Sequence, residues 1–384
     1  MNINSAVEKC FEYCLKEKDF NQKVTVFSQY TKSLPSDFVY QYPAHVIWKV
    51  TSACNLRCKH CFYYTKADFF DTQNDFSKEE ALAFAQYLVE ELNIMSVVLT
   101  GGEALLSSYL FDLIKYFKSK NVCVTLLTNG TLITEDIATK LVALLDKKYD
   151  NIQISFDGAT AHTHDAIRGK GSFEKSLNAL EQLSRKEFSP IIATTINSQN
   201  VKELDKFADL FEKYKIKELR FSKYKVFSKE QEYLSPNLDE LFVSIAKLID
   251  RKIPFSRKLF NAYDFLKYEV GKQLLDGLDK KIDVICNKLC HNHNKLFLSA
   301  NGGIYLCTSS ETAGLCLGNI REKSFDEIWN NRFEHPLFKE RIDFVCAKCK
   351  YKYWCDSGCP VIAYQSNGDV CFATSECDYQ YELE

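Results

Sequence analysis

Three cysteines, Cys54, Cys58 and Cys61, lie close together in the stretch TSACNLRCKHCFYYT, at a spacing that suits metal chemistry. An odd number of thiols does not form a closed set of disulfides, and a structural zinc ion needs four protein ligands. His60 is badly placed to complete a zinc site, because it is the immediate neighbour of Cys61. The remaining alternative is an iron–sulfur cluster held by three thiolates, with one iron open to another molecule.

Composition favours metal chemistry over disulfides for the other cysteines as well. The chain of 384 residues has 16 cysteines, of which ten fall between Cys286 and Cys377. Its formal net charge is −2, which indicates neither a nucleic acid nor a membrane surface as partner. No apolar run is long enough to span a membrane and the N-terminus has no signal-peptide pattern, which predicts a cytoplasmic protein. In that reducing compartment, clustered cysteines are more often metal-binding or catalytic.

The elements that must position these cysteines follow from the hydrophobic pattern. Apolar segments such as HVIWKVT alternate with amphipathic ones such as KEEALAFAQYLVEEL, whose preceding Ser77 and third residue Glu80 predict a capping box. Six such strand–helix units predict a parallel sheet covered by helices, either an open doubly wound sheet or a partial barrel. In both architectures the loops after the strands carry function, and the cysteine loop, GGE, TNG and DG follow the first four predicted strands.

The cysteine loop resembles the C-x3-C-x-Φ-C motif of the radical S-adenosylmethionine (radical SAM) superfamily, with His60 at the Φ position. The resemblance implies a [4Fe–4S] cluster on the three loop cysteines, whose open iron binds the amino and carboxylate groups of SAM. It also implies a partial (β/α)6 TIM-like barrel with this loop after the first strand, and it places His60 near the adenine of SAM.

Other SAM ligands are implied by the same resemblance. Glycines let a backbone approach a ligand and a carboxylate suits an ammonium group, so the GGE sequence fits the family motif that binds the SAM amino group. ISFDG resembles the strand-four motif that contacts SAM. The alternatives are a helix N-cap for its serine, a solvated side chain for the nearby arginine, and a simple turn at TNG. The implied ligands are Gly101, Gly102, Glu103, Asn129, Ser155 and Arg168.

The C-terminal cysteines resemble the SPASM extension of radical SAM enzymes, which carries auxiliary [4Fe–4S] clusters. The resemblance implies two clusters that are each ligated by four cysteines, which makes three [4Fe–4S] clusters in all. The first would use Cys286, Cys290, Cys307 and Cys359, and the second Cys346, Cys349, Cys355 and Cys377. Two four-cysteine zinc sites are the alternative that this spacing permits.

Besides Cys123, four further cysteines are not assigned to a cluster. Cys10 and Cys14 are spaced by one helical turn, and we expect them to pack on a helix face. Cys316 and Cys371 are left over from the implied clusters and are expected to be buried thiols or neighbours of the clusters, with Cys371 as the alternative ligand to Cys377.

These patterns predict an α/β protein with four segments. The last segment is rich in Cys, Gly and aromatic residues, and we expect metal rather than a large apolar core to hold it together. The segments are an N-terminal helical extension (1–44), a radical SAM partial barrel (45–250), a helical connector (251–285) and a SPASM auxiliary-cluster domain (286–384).

The resemblance implies an oxidoreductase that cleaves SAM reductively to a 5′-deoxyadenosyl radical. The leading hypothesis is maturation of a ribosomally made peptide (RiPP), by a thioether or carbon–carbon crosslink or by epimerisation. The alternatives are oxidation of Cys or Ser to formylglycine, as in sulfatase maturation, and modification of a small molecule or tetrapyrrole precursor. A non-catalytic electron-transfer or zinc protein is disfavoured, because it needs neither GGE nor Ser155.

Three kinds of partner follow from this hypothesis. They are a peptide or protein substrate, an electron donor such as flavodoxin or ferredoxin, and a separate leader-recognition protein, because a full peptide-recognition domain does not fit before Trp48. No nucleic acid and no membrane are expected. The sequence identifies no catalytic acid or base.

Overall fold

The computed structural model describes residues 1–15, 42–61, 63, 71–226, 229–255, 259–260, 262–277, 295–338, 349–351 and 358–370. Within these residues, one nine-stranded sheet has the order β6-β5-β4-β3-β2-β1-β7-β8-β9. Its strands are β1 (His45–Lys49), β2 (Ser96–Thr100), β3 (Cys123–Thr128), β4 (Asn151–Ser155), β5 (Ile191–Ile196), β6 (Glu218–Lys223), β7 (Lys295–Leu298), β8 (Gly303–Tyr305) and β9 (Gly318–Asn319).

Helices follow the strands in the first part of the chain, as expected for strand–helix units. The described helices are α1 (Ile3–Leu15), α2 (Lys78–Glu90), α3 (Leu110–Ser119), α4 (Glu135–Leu144), α5 (Ala161–Arg168), α6 (Ser172–Arg185), α7 (Phe207–Lys213), α8 (Leu238–Asp250), α9 (Ala262–Leu266), α10 (Glu269–Asp276), α11 (Thr308–Thr312), α12 (Phe325–Asn330) and α13 (Pro360–Asn367). None of these helices is long and apolar enough to cross a membrane.

The first six strands are all parallel, and the predicted α/β fold class is confirmed. The predicted capping box of α2 is present, since the Ser77 amide donates to Glu80 Oε2 at 2.8 Å and the Glu80 amide donates to Ser77 Oγ at 3.2 Å. Such local bonds satisfy amides that have no partner at the start of a helix. They therefore fix where α2 begins, after the long loop that contains the cysteines.

Burial alternates along β2, β3 and β4. In β2 and β4 every second side chain is fully buried and belongs to the main apolar core. Trp48 of β1 lies in this core and makes edge contacts with Phe76 and Phe117, with ring centroids 6.0 and 6.4 Å apart. The alternate residues, including Ser155, are half-buried and lie on the other face. One face of the sheet thus supports the helices while the other is left for a site.

The sheet continues into the segment that begins at residue 286. Strand β7 pairs in parallel with β1, with Trp48 opposite Leu298, and β8 and β9 add antiparallel strands beyond it. Leu298 and Trp329 belong to the same apolar core as Trp48. We expected metal rather than apolar packing in this segment, whereas its described residues share the barrel core because β1 offers an edge for β7. The role of metal there stays a prediction.

Helix α1 packs against α8, and Cys10 lies in that interface. Its side chain is fully buried and its thiol is 3.5 Å from the carbonyl oxygen of Phe242. Phe11 makes an edge contact with Phe265 at 5.2 Å between ring centroids. The expectation that Cys10 packs on a helix face is confirmed, and the side chain of Cys14 lies outside the described residues.

Candidate active site

The candidate site lies at the edge of the sheet where the parallel strands end. The loops after β1, β2 and β3 are joined there by short contacts. The Gly102 amide donates to the Thr51 carbonyl at 2.9 Å, and the Asn129 amide donates to Glu103 Oε2 at 2.7 Å. Carboxyl ends of parallel strands meet at one edge of a sheet, which is why loops distant in sequence converge here.

The cysteine loop is anchored at several points along its length. Its start is held by Asp75, whose Oδ2 accepts bonds from Thr51 Oγ1 at 2.7 Å and from the Ser52 amide at 2.9 Å. In its middle, the Lys59 amide donates to the Ile167 carbonyl at 2.9 Å. The loop is therefore shaped by neighbouring elements as well as by its own sequence.

The three loop thiols lie in a buried setting that opposes their ionisation. Burial raises the pKa of Cys58 to about 12, although the nearby positive charge of Arg168 acts to lower it. Burial also raises the pKa of Cys54 and of Cys61, and for Cys61 the charges of Arg168 and Lys49 act in the opposite direction. Metal binding needs thiolates, so cations beside this loop favour the ligating form.

No three His, Cys, Asp or Glu side chains within the described ranges converge closely enough for a single metal ion. A cubane cluster needs no such convergence, because each of its thiolates binds a different iron. The lack of a single-ion site among the described residues therefore does not argue against the implied cluster.

Gly101 and Gly102 bring the loop after β2 against the backbone of the cysteine loop. A methyl group built on Gly101 would lie 2.9 Å from the Thr51 carbonyl oxygen, and one built on Gly102 would collide with the carbonyl of Ala53. Only glycine tolerates such close backbone contact. From the sequence we expected these two glycines to let a ligand approach the backbone. In the structure they admit the cysteine loop, and their contact with SAM stays a prediction.

Glu103 is buried and receives three hydrogen bonds. Its Oε1 accepts from the Leu105 amide at 3.1 Å and from Thr128 Oγ1 at 2.6 Å, while its Oε2 accepts from the Asn129 amide. Burial raises the pKa of Glu103 and these bonds oppose that shift. A carboxylate has about four acceptor sites. The carboxylate therefore retains capacity for one further donor, which fits an ammonium group.

Asn129 links the loop after β3 to the cysteine loop. Its Nδ2 donates to Asn55 Oδ1 at 2.9 Å, and its Oδ1 accepts from the Thr131 amide at 2.9 Å. These contacts give the residue a structural role, and its predicted contact with SAM stays a prediction.

The structure corrects two of the alternatives that the sequence left open. Helix α5, which follows β4, is capped by Thr160, whose Oγ1 accepts from the Thr163 amide at 3.4 Å, so Ser155 is not an N-cap. The side chain of Arg168 is only 10% exposed and pairs with Asp157, so it is not a solvated arginine. The SAM contacts implied for Ser155 and Arg168 stay predictions.

Asp157 is the residue that the sequence analysis missed, although it lies within the quoted ISFDG. Its Oδ2 is 2.6 Å from Arg168 Nε and 3.0 Å from His60 Nε2, and its Oδ1 accepts from the Thr195 amide at 2.8 Å. Burial alone would raise its pKa, but the charge of Arg168 and the hydrogen bond from His60 hold the pKa of Asp157 well below its usual range. Arg168 Nη1 also lies 3.9 Å from the Cys58 sulfur. The signal in the sequence that could have identified Asp157 was a carboxylate just after a predicted strand.

His60 has one ring nitrogen without a partner. Its Nε2 faces Asp157, whereas Nδ1 is buried and makes no hydrogen bond to any described residue. Buried polar atoms in proteins are normally satisfied, so an orphan of this kind indicates a missing polar group. The loop thiols, the spare acceptor site of Glu103 and this nitrogen together fit an iron–sulfur cluster with a bound amino-acid-like nucleoside.

The predicted auxiliary ligands are only partly covered by the described residues. Cys307, Cys349 and Cys359 are half-buried, with Cys307 immediately before α11 and Cys359 immediately before α13. The thiol of Cys316 lies 3.3 Å from the Gly318 carbonyl oxygen. Cys286, Cys290, Cys346, Cys355, Cys371 and Cys377 lie outside the described residues.

Two protein families match this chain. The radical SAM superfamily matches residues 48–211, and an iron–sulfur cluster-binding domain, SPASM, matches residues 286–350.

Individual relatives cover most of the chain. The "AdoMet-dependent heme synthase" of Methanosarcina barkeri is 28% identical over 88% of this chain and 97% of its own length. The "Mycofactocin maturase MftC" of Mycolicibacterium smegmatis is 29% identical over 83% of this chain and 78% of its own. The structure of Streptococcus suis SuiB bound to the precursor peptide SuiA superposes with a TM-score of 0.68 and 16% identity, over 88% of this chain and 76% of that one.

Gly102→Ala tests the close approach of the two loops. The added methyl group meets the Ala53 carbonyl, so we expect the free energy of unfolding to fall by about 1–3 kcal/mol, the usual cost of overpacking. Gly277→Ala is the matched control, because its nearest neighbours would be 3.6 Å from the new methyl group. Urea denaturation measures both variants, and equal losses of stability would contradict the prediction.

Asp157→Asn tests the buried ion pair. The substitution leaves the Arg168 guanidinium buried without its counter-charge, and we expect a loss of about 3–5 kcal/mol in the free energy of unfolding. Because the pKa of Asp157 is held low, the difference from wild type should persist down to about pH 4 and shrink only below it. Asp112→Asn, which breaks the exposed pair with Lys78, is the control and should change little.

Proposed function

We propose that this enzyme, which carries a radical SAM domain followed by an iron–sulfur cluster-binding SPASM domain, modifies a ribosomally made peptide or protein. The observation that supports the proposal most strongly is the cysteine loop itself. It follows β1 at the functional edge of the sheet, packs against the glycines of the GGE sequence, and accepts a hydrogen bond from the Glu103 amide at the Ala53 carbonyl, 2.7 Å away. The precursor peptide bound to SuiB, whose fold is similar, supports a peptide as substrate.

In this proposal Cys54, Cys58 and Cys61 hold the SAM-binding cluster. When bound, the reduced cluster and SAM supply a 5′-deoxyadenosyl radical that removes a hydrogen atom from the substrate, chemistry that belongs to the cofactors. The protein binds and orients the cofactors and keeps water away from them.

Three buried groups would orient SAM. Glu103 would accept a hydrogen bond from the SAM ammonium at the acceptor site that its protein donors leave open. Arg168 uses Nε on Asp157, and its remaining N–H groups would bind the SAM carboxylate. His60 would accept a hydrogen bond at Nδ1, because Asp157 holds its other nitrogen as the donor.

The substrate would lie on the half-buried face of the parallel strands. Ser155 is at the end of β4 on this face, and Gln153 Oε1, two residues earlier, accepts a hydrogen bond from Arg220 Nη1 at 3.1 Å. The polar groups on this face suit a peptide backbone better than an apolar ligand.

The C-terminal cysteines would hold two auxiliary [4Fe–4S] clusters, which would accept an electron from the substrate or shape its pocket. Flavodoxin or ferredoxin would supply the electron that reduces the SAM-binding cluster.

A second candidate function is modification of a tetrapyrrole. It is favoured by the Methanosarcina barkeri heme synthase, which this chain matches over 97% of that enzyme's length, against 78% for the maturase MftC.

If the substrate is a peptide, the product would be a thioether or carbon–carbon crosslink or an epimerised residue, and oxidation to formylglycine is the further alternative.

Metal analysis after anaerobic reconstitution tests the cofactors. Three cubane clusters correspond to about twelve iron atoms per chain. Cys54→Ala should abolish formation of 5′-deoxyadenosine and leave about eight iron atoms, whereas Cys123→Ala, at the opposite end of the strands, should leave both measurements unchanged. About four iron atoms in the wild-type protein, with no cleavage of SAM, would contradict the proposal.

Mass spectrometry tests the substrate class. The reduced enzyme is incubated with SAM and either a peptide encoded beside its gene or an iron porphyrin that carries propionate groups. Loss of two hydrogen atoms from the peptide would indicate a crosslink or oxidised serine. A mass that is unchanged in H2O but raised by deuterium uptake in D2O would indicate epimerisation. Conversion of the porphyrin with no change in the peptide would select the second candidate function.

A further inference from the structure

Four buried polar side chains meet where the barrel joins the C-terminal segment. Lys49 is at the end of β1, Tyr63 is two residues after Cys61, and Glu311 is in α11; their exposed fractions are 2%, 8% and 4%. Ser299, which follows β7, is also buried. We call these four residues the junction cluster. It connects the cysteine loop with the segment that follows Cys307, although these parts are far apart in sequence.

Glu311 is the centre of the junction cluster. Its Oε1 is 3.3 Å from Lys49 Nζ and accepts a hydrogen bond from Ser299 Oγ at 2.6 Å. Its Oε2 accepts a hydrogen bond from the hydroxyl of Tyr63. The Lys49 ammonium also lies 4.4 Å from the centroid of the Tyr63 ring. Each polar group of the cluster thus has a partner, and the two charges compensate each other.

Stability alone does not account for such an arrangement. Taking two charges out of water costs nearly as much as their attraction returns, and well-packed apolar side chains are often equally stable. A buried ion pair is therefore weak support for a purely structural role. Its position gives a second reason, because Tyr63, which contacts both charged side chains, lies two residues after Cys61. The pair therefore lies beside the cysteine loop, in a buried setting where charges act strongly on their neighbours.

A charge in this position changes how easily an anionic cluster accepts an electron. A nearby cation stabilises the more negative, reduced form and raises the reduction potential, whereas a carboxylate has the opposite effect. Lys49 and Glu311 are thus opposed charges, and Tyr63 connects both to the cysteine loop. The step affected is the entry of one electron from a flavodoxin- or ferredoxin-like donor, in which no bond is made or broken.

We propose that the two charges of the junction cluster shift the reduction potential of the SAM-binding cluster in opposite directions and nearly cancel, and that the junction cluster ties the cysteine loop to the segment that follows Cys307. The inference rests on the proposed function, because it takes Cys54, Cys58 and Cys61 to hold an iron–sulfur cluster. Lys49, Tyr63 and Glu311 act here as positioning residues.

Two single substitutions with opposite charge effects test the proposal. Lys49→Met removes the cation and lowers the midpoint potential, whereas Glu311→Gln removes the anion and raises it. We expect each variant to change the reduction equilibrium by about tenfold, which is about 59 mV for one electron. The measurement is an anaerobic redox titration of the reconstituted enzyme followed by electron paramagnetic resonance.

The double variant Lys49→Met/Glu311→Gln removes both charges and should return the potential to within threefold of the wild-type equilibrium. It also provides the test if a single variant does not fold, because it leaves no buried charge unpaired. Tyr63→Phe keeps both charges and should shift the potential less than either single variant does.

Lys118→Met is the matched control. Lys118 is 2.7 Å from the buried carboxylate of Asp150, which precedes β4 at the opposite edge of the sheet, so its loss should leave the potential unchanged. Shifts in the same direction for both single variants, or a double variant as shifted as either, would overturn the proposal. A wild-type enzyme that binds no iron at the cysteine loop would overturn the proposed function, whereas a normal wild type with unshifted variants would overturn only this inference.

Discussion

The buried carboxylate of Asp157 connects three parts of the chain that are far apart in sequence. His60 comes from the cysteine loop, Arg168 from the end of α5, and the Thr195 amide from β5. Without this carboxylate, the guanidinium would be buried without a counter-charge and the imidazole would lose the partner that sets its tautomer. The positions of His60 and Arg168, two of the candidate SAM ligands, therefore depend on one side chain.

Local patterns predicted much of the fold and the place of the site. The alternation of strands and helices, the Ser77 capping box and the convergence of the loops after β1, β2 and β3 need only neighbouring residues and the geometry of a parallel sheet. The fold class and the presence of radical SAM and SPASM domains were predicted correctly.

The features that the sequence could not indicate all depend on distant partners. Lys49 lies at the end of an apolar strand and has no local sign that its counter-charge is 262 residues away. The pairing of β7 with β1 is equally hidden, because the four residues of β7 form a short apolar segment like many others. In the sequence, Asp157 is only one residue of the loop after β4, and its contacts with His60 and Arg168 are visible only in the folded structure. Secondary-structure propensity does not indicate such contacts, because they depend on which distant residues become buried together when the chain folds.

The pairing of β1 with β7 has a consequence for how this protein is made. Strand β1 can pair with β2 early in synthesis, but its other edge stays open until residues 295–298 have left the ribosome. An apolar strand with an open edge is a template for association with other chains, and contacts so distant in sequence form slowly. When β7 pairs with this edge, α11 also comes close to β1, and Glu311 can then pair with Lys49. The nascent chain therefore exposes one edge of β1 until the segment that contains Glu311 has been synthesised.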